Sequence, residues 1–148
     1  MDRKLKSFIL KQMKTHRTMT VATVRHDGWP QATTVVYAND GPNLYFGCDL
    51  DSQKVWNISR CKKVSVAIDG DDKDWTRLKG LSLAATAKVL IDPKEIDRAL
   101  TLLGRKFPAL SGSGRPDPSE TAVVKLQPKV ISVIDYERGF GHTELVRV

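Results

Sequence analysis

The sequence predicts an α+β fold, mainly β: six to seven antiparallel strands closing toward a barrel, with helices at its periphery. Three observations point there. Short segments rich in Val and Thr follow one another, punctuated by Asp27-Gly28, by Asn39-Asp40-Gly41-Pro42 and by Gln127-Pro128. Helical periodicity is confined to three stretches, at the N-terminus, after residue 51 and after residue 92. The length of 148 residues with 41% apolar content suits one hydrophobic core, so residues 1–148 are expected to form a single domain.

Leu5, Phe8, Ile9 and Met13 recur at helical spacing among lysines, which predicts an amphipathic helix over 3–15. Strands at 19–25 and 31–38 follow, and Asp27-Gly28 between them supplies the positive φ that a hairpin needs. Residues 39–42 read as a second turn and 43–48 as a third strand. Asp51-Ser52 suits a cap for a short helix, 52–60, expected to carry Val55, Trp56 and Ile58 toward the core. Val64, Val66 and Ile68 alternate with polar or small residues, which makes 63–69 a strand. A charged loop at 70–74 leads into a long strand, 77–91, where Gly80 is expected to relax the pleat.

Asp92, Pro93 and Glu95 form a strong helix start, with Ile96, Ala99, Leu100 and Leu103 on one face and Phe107-Pro108 as the stop. The Ser-, Gly- and Pro-rich stretch 111–119 reads as a flexible surface loop. Two last strands, 121–126 and 130–136, are divided by Gln127-Pro128, and residues 139–142 form a tail.

Composition narrows the function. No apolar run approaches the roughly 20 residues that span a bilayer. The charged N-terminus leads into no apolar signal segment, so no membrane association is expected and the cytoplasm is the expected compartment. Cys48 and Cys61 read as reduced thiols, and His16, His26 and His142 are too scattered for a metal-ligand motif, so no metal is expected. The net charge of +7 favours anionic partners, but much of it falls on the N-terminal helix as a solvated face. The aromatic residues sit on strands or beside apolar neighbours where a core would claim them, which argues against a nucleic-acid platform. Residues 111–115 lack the ending of a phosphate-binding P-loop, and no nucleophile elbow is present.

The order of the pieces is more informative than any one of them. Thr20-Val21-Ala22-Thr23-Val24 with Asp27-Gly28-Trp29-Pro30 comes first, then Thr33-Thr34-Val35-Val36-Tyr37, Leu44-Tyr45-Phe46-Gly47-Cys48 and Ser52-Gln53-Lys54. The stretch 75–87, Lys106-Phe107-Pro108 and the ending Gly139-Phe140-Gly141-His142 complete the series. Over essentially the whole chain this series resembles the pyridoxamine 5'-phosphate oxidase-like FMN-binding split barrels.

The resemblance implies a split barrel, an FMN cofactor and a homodimer with the cofactor in the groove between subunits. It assigns the flavin phosphate to Thr33, Ser52, Gln53 and Lys54, where a cation, hydroxyls and the first turn of a helix suit an anion. Thr34, Val35 and Val36 would run along the ring, and Phe46, Cys48 and Asp49 would border it; Cys48 reads equally well as a plain buried thiol. Trp75, Lys79, Gly80, Phe140 and His142 would approach from the partner subunit, with His142 read equally as an uninvolved tail residue. No catalytic side chain is implied, because the cofactor carries the redox step.

The sequence departs from the enzymes that make pyridoxal phosphate. Thr33 stands where they place an arginine, Gln53-Lys54 stands for Arg-Lys, and their arginine- and histidine-rich C-terminal motif is missing. The expected activity is therefore an FMN-dependent oxidation or reduction of an unidentified small molecule. Two alternatives remain: a deazaflavin coenzyme held by the same cations, and a flavin- or haem-binding protein without turnover.

Overall fold

The computed structural model describes every residue except Ser113, with the backbone alone for Ser111. It opens with helix α1 (Arg3–Thr15), whose first turn is capped by the Asp2 carboxylate. Strands β1 (Thr18–Val24) and β2 (Pro30–Val36) form the expected hairpin, with Gly28 at φ +88° in its turn. Asn39 and Asp40 belong to a short strand, β3 (Ala38–Asp40), so the turn expected at 39–42 narrows to Gly41-Pro42. Strand β4 (Asn43–Asp49), helix α2 (Gln53–Arg60) and strand β5 (Lys63–Asp69) follow. A single 3-10 turn, Trp75–Arg77, precedes strand β6 (Lys79–Val89). Helices α3 (Pro93–Lys106) and α4 (Pro108–Ser111) lead to strand β7 (Thr121–Asp135), a second 3-10 turn (Tyr136–Arg138) and strand β8 (Thr143–Arg147).

Seven strands pair in the order β2-β1-β5-β6-β7-β4-β3, and β8 adds to β7; every pairing is antiparallel. The two ends of that order, β2 and β3, are separated in the chain by Tyr37 alone. The sheet must therefore curl until its edges meet at Tyr37, and the result is a half-barrel. The fold class is the expected one, mainly β with helices outside.

Besides β3, two strand assignments change. The expected break at Gln127-Pro128 is absent: β7 runs through it, with Pro128 opposite Ala85 and Val130 opposite Ala84. Lys129 is thus an extra residue, and this bulge accommodates a proline that has no N–H to give the ladder. The bend expected at Gly80 lies instead at that bulge. Gly80 answers a different need, because a Cβ there would sit 2.7 Å from the Ile68 carbonyl oxygen. The tail is the second change, since 143–147 returns along β7 as a strand after a turn through Gly139 and Gly141.

Alternation decides what lies inside. Leu44 and Phe46 of β4 and Val124 and Leu126 of β7 point into the barrel with Val21, Ile68, Leu83 and Ile131. Each fully buried side chain of this kind contributes about 1.5–3 kcal/mol of transfer free energy. Ile9 and Met13 of α1 close one opening of the barrel over Tyr37. On the other face of β4 and β7, Tyr45 and Val123 pack under α3 through Ala99, Ile96 and Leu100. The expected Val55, Trp56 and Ile58 face of α2 is corrected: Ile58 is buried, but Trp56 is 63% exposed. Trp29 and Trp75 are also exposed, so the core has not claimed these aromatic rings.

Candidate functional site

Helix α2 is fixed to the barrel by a buried amide. Asn57 Nδ2 donates to Thr23 Oγ1 at 2.9 Å and to Gln31 Oε1 at 3.4 Å, while its Oδ1 accepts from Gln53 Nε2 at 2.8 Å. The N-terminus of α2 meets β4, where the Ser52 hydroxyl, which caps the Val55 N–H, also points at Cys48 Sγ 3.6 Å away. The helix packs chiefly on β1 and β6, and Gln53 faces His26 across a small surface pocket with Trp56, Asn57 and Arg60.

Thr33 faces inward with Gln31 and Val35, while Thr34 and Val36 face outward. The Thr33 hydroxyl is buried and bonds to nothing among the described residues. A buried hydroxyl without a partner costs roughly 1–3 kcal/mol, so this one stands ready for an acceptor or donor from outside the chain. Lys54, half-buried in the first turn of α2, lies close enough to Cys48 to favour its thiolate, as does the Ser52 hydroxyl. Burial outweighs both and, with the Asp49 carboxylate adding to it, pushes the Cys48 thiol up.

Beyond Val36 and Cys48 the surface opens into a cavity of about 770 Å³. Its near wall is Val36, Gly47, Cys48 and Asp49; its far wall is Leu100, Thr101 and Leu103 of α3 with Leu110, Arg115 and Pro116. A cavity of several hundred Å³ is the size that takes a cofactor or a drug-sized molecule. Phe46, expected to border the site, is wholly inside the barrel core.

The remaining predicted residues form a second group elsewhere on the chain. Trp75 packs edge-on against Phe140 with ring centres 5.6 Å apart, Tyr136 packs on the same ring at 5.6 Å, and Trp75 and Phe140 are 61% and 81% exposed. Lys79 Nζ pairs with Glu137 Oε2 at 2.8 Å, and Arg77 Nε with Glu137 Oε1 at 3.1 Å. These two cations hold the Glu137 carboxyl below its usual range. Gly80 is buried where β6 meets β5. His142 accepts the Asp135 N–H on its carbonyl at 3.1 Å, and its Nε2 is buried without a partner among the described residues. None of these residues lines the cavity beside Val36.

Sequence reasoning missed the far wall and the Asn57 anchor. Asp97, Thr101 and Gly104 recur at helical spacing beside the apolar stripe of α3, a second face that reads as solvated surface until a wall stands opposite. Asn57 was visible as a polar residue next to Ile58 on a buried face, four residues after Gln53. Part of the loop expected at 111–119, at Ser113, lies outside the described residues. Among those described, no cluster of side chains could hold a metal ion, and no helix is long and apolar enough to cross a membrane.

The family profile described as Pyridoxamine 5'-phosphate oxidase matches residues 1–135. No curated protein matches the chain. Solved structures do. A heme binding protein from Mycobacterium smegmatis superposes with a TM-score of 0.81 at 18% identity, over 99% of this chain and 60% of its own. General Stress Protein 26 from Bacillus anthracis gives 0.74 at 22% identity, over 97% of this chain and 98% of its own. HutZ, the heme storage protein from Vibrio cholerae, gives 0.67 at 18% identity, over 86% and 89%. The chain thus spans about three fifths of the mycobacterial protein but nearly all of the other two. At these identities the likeness is one of fold alone.

Proposed function

The chain belongs to the pyridoxamine 5'-phosphate oxidase family, and on that premise we propose that it is an FMN-binding oxidoreductase acting on a small molecule as a homodimer. The observation that carries this reading is the unpartnered, buried Thr33 hydroxyl, on the strand whose Gln31 bonds to Asn57 of α2. A phosphate there receives a hydrogen bond from Thr33 and a point charge from Lys54. It also meets the N–H groups of Gln53 and Lys54, which precede the first intrahelical bonds and carry the favourable end of the helix dipole. Asn57 holds that turn in place through Thr23 and Gln31.

Bound FMN supplies the transfer of a hydride or electrons, and the chain binds and orients it. Thr34 and Val36, on the outward face of β2, and Cys48 border the ring, with Cys48 kept as a neutral thiol by its burial. Trp75 and Phe140, exposed on one protomer, cover the flavin of a second, which accounts for large apolar rings left in water. A deazaflavin coenzyme presents the same phosphate to Thr33 and Lys54 and differs by the mass of the released ligand.

One observation favours a second reading, a haem-binding protein without turnover. His142 Nε2 is buried and unpartnered, and haem iron takes a histidine nitrogen as its axial ligand. Two of the structural neighbours are heme proteins by name. An absorption spectrum of the purified protein, with mass spectrometry of the released ligand, separates these readings. The flavin reading expects a flavin spectrum and the mass of FMN. A haem spectrum, or failure to take up added FMN, overturns it.

A further inference from the structure

We propose that the α3 wall of the 770 Å³ cavity selects an apolar substrate that is uncharged or cationic, and turns away anions, phosphate esters included. This rests on the reading of Val36 and Cys48 as flavin-bordering, and it names the substrate class of that site. Among the described residues, three charged side chains line the cavity: Asp49, Asp97 and Arg115. Arg115 Nη2 is paired with Asp97 Oδ1, so the one cation of the lining is already neutralised. Asp49 is exposed and has no ion pair among the described residues, which leaves the cavity with an uncompensated carboxylate. Lys54 does not line the cavity; it lies behind Cys48, and on the flavin reading its charge serves the phosphate.

The rest of the far wall is Leu100, Leu103, Leu110 and Pro116. An anion entering there loses its water, meets Asp49, and finds its only counter-charge occupied. A neutral apolar molecule loses nothing by the same step, and a cation gains from Asp49. The Arg115–Asp97 pair is more than half exposed on both sides and is worth little on its own. Removing Asp97 therefore frees Arg115 without unfolding the wall.

The test is displacement of N-phenyl-1-naphthylamine, a neutral apolar fluorophore, by three ten-carbon chains that differ only in charge, at pH 7. Decylammonium and 1-decanol should each displace it at concentrations at least tenfold lower than decanoate. Asp97→Asn should tighten decanoate by tenfold or more, and Asp49→Asn should erase the advantage of decylammonium over decanol. Thr101→Trp, at an exposed α3 position, should fill the cavity and abolish fluorophore binding. The proposal is overturned if decanoate competes as well as decylammonium, if neither Asp variant alters the order, or if Thr101→Trp leaves binding intact. FMN titration of the same preparations is read separately: a protein that sorts the three chains but ignores FMN sinks the cofactor reading, and with it the substrate role, while the charge selection by the cavity wall still stands.

Discussion

Lys106 and Tyr37 share one acceptor. The Tyr37 hydroxyl donates to the Met13 carbonyl at 2.6 Å, the Lys106 ammonium donates to the same oxygen at 3.2 Å, and the ammonium lies 3.9 Å from the centre of the Tyr37 ring. Lys106 also donates to the His16 carbonyl at 2.6 Å, so the last residue of α3 closes the end of α1. Tyr37 is the residue at which the sheet curls, one position after Val36, and this contact therefore braces the strand that borders the cavity.

Burial, and secondarily Arg17, pull the Lys106 ammonium down to about 8 from the usual 10.5. Between those values the unfolded chain keeps a proton that the folded chain releases, so stability rises with pH across that window. Urea unfolding at pH 7.5 and pH 10 should show the native chain gaining stability relative to Lys106→Met. An unchanged difference between the two proteins at both pH values would show that Lys106 titrates as it does in solvent.

Asn57 predicts a local loss with a structural signature. Asn57→Ala strips Thr23 Oγ1, itself fully buried, of its partner and releases Gln53 and Gln31. The expected cost is about 1–3 kcal/mol in urea unfolding. Adding Thr23→Val should restore part of it, because no hydroxyl then remains unsatisfied. A double variant as unstable as the sum of the two singles would refute the shared bond.

How far the sequence reached follows from which forces act locally. The hairpin at Asp27-Gly28, the Asp92-Pro93 helix start and the 63–69 strand were legible because turn chemistry, capping and alternation are set by neighbours in the chain. The run through Pro128 was not, since the bulge at Lys129 depends on β6 lying opposite. Strand β8 pairs only with β7, and its sequence, Thr143 to Arg147, carries little alternation of its own. For the site, Thr33 and Ser52-Gln53-Lys54 are proposed from a pattern spread along the chain. The wall of Leu100, Thr101 and Arg115 was not legible, because nothing local says that the second face of α3 looks across a gap at Cys48. The exposed Trp56 was assigned to the core on type and spacing alone, whereas its burial is decided by what packs on it.

The exposed pair Trp75 and Phe140 predicts a second protomer. Sedimentation or gel filtration should give the mass of two chains, and Trp75→Ala should weaken FMN binding several-fold while leaving the unfolding midpoint within about 0.5 kcal/mol of native. Full FMN affinity in that variant would remove the ring from the flavin site.

The most direct measurement is FMN affinity, by quenching of flavin fluorescence, for the native chain, Lys54→Ala and Thr33→Val. Hydrogen bonds to a charged group are worth about 1.5–3 kcal/mol, so each variant should raise the Kd by roughly tenfold or more with its fold intact. Two variants that bind FMN as tightly as the native chain would contradict the assignment of the phosphate to Thr33 and the first turn of α2.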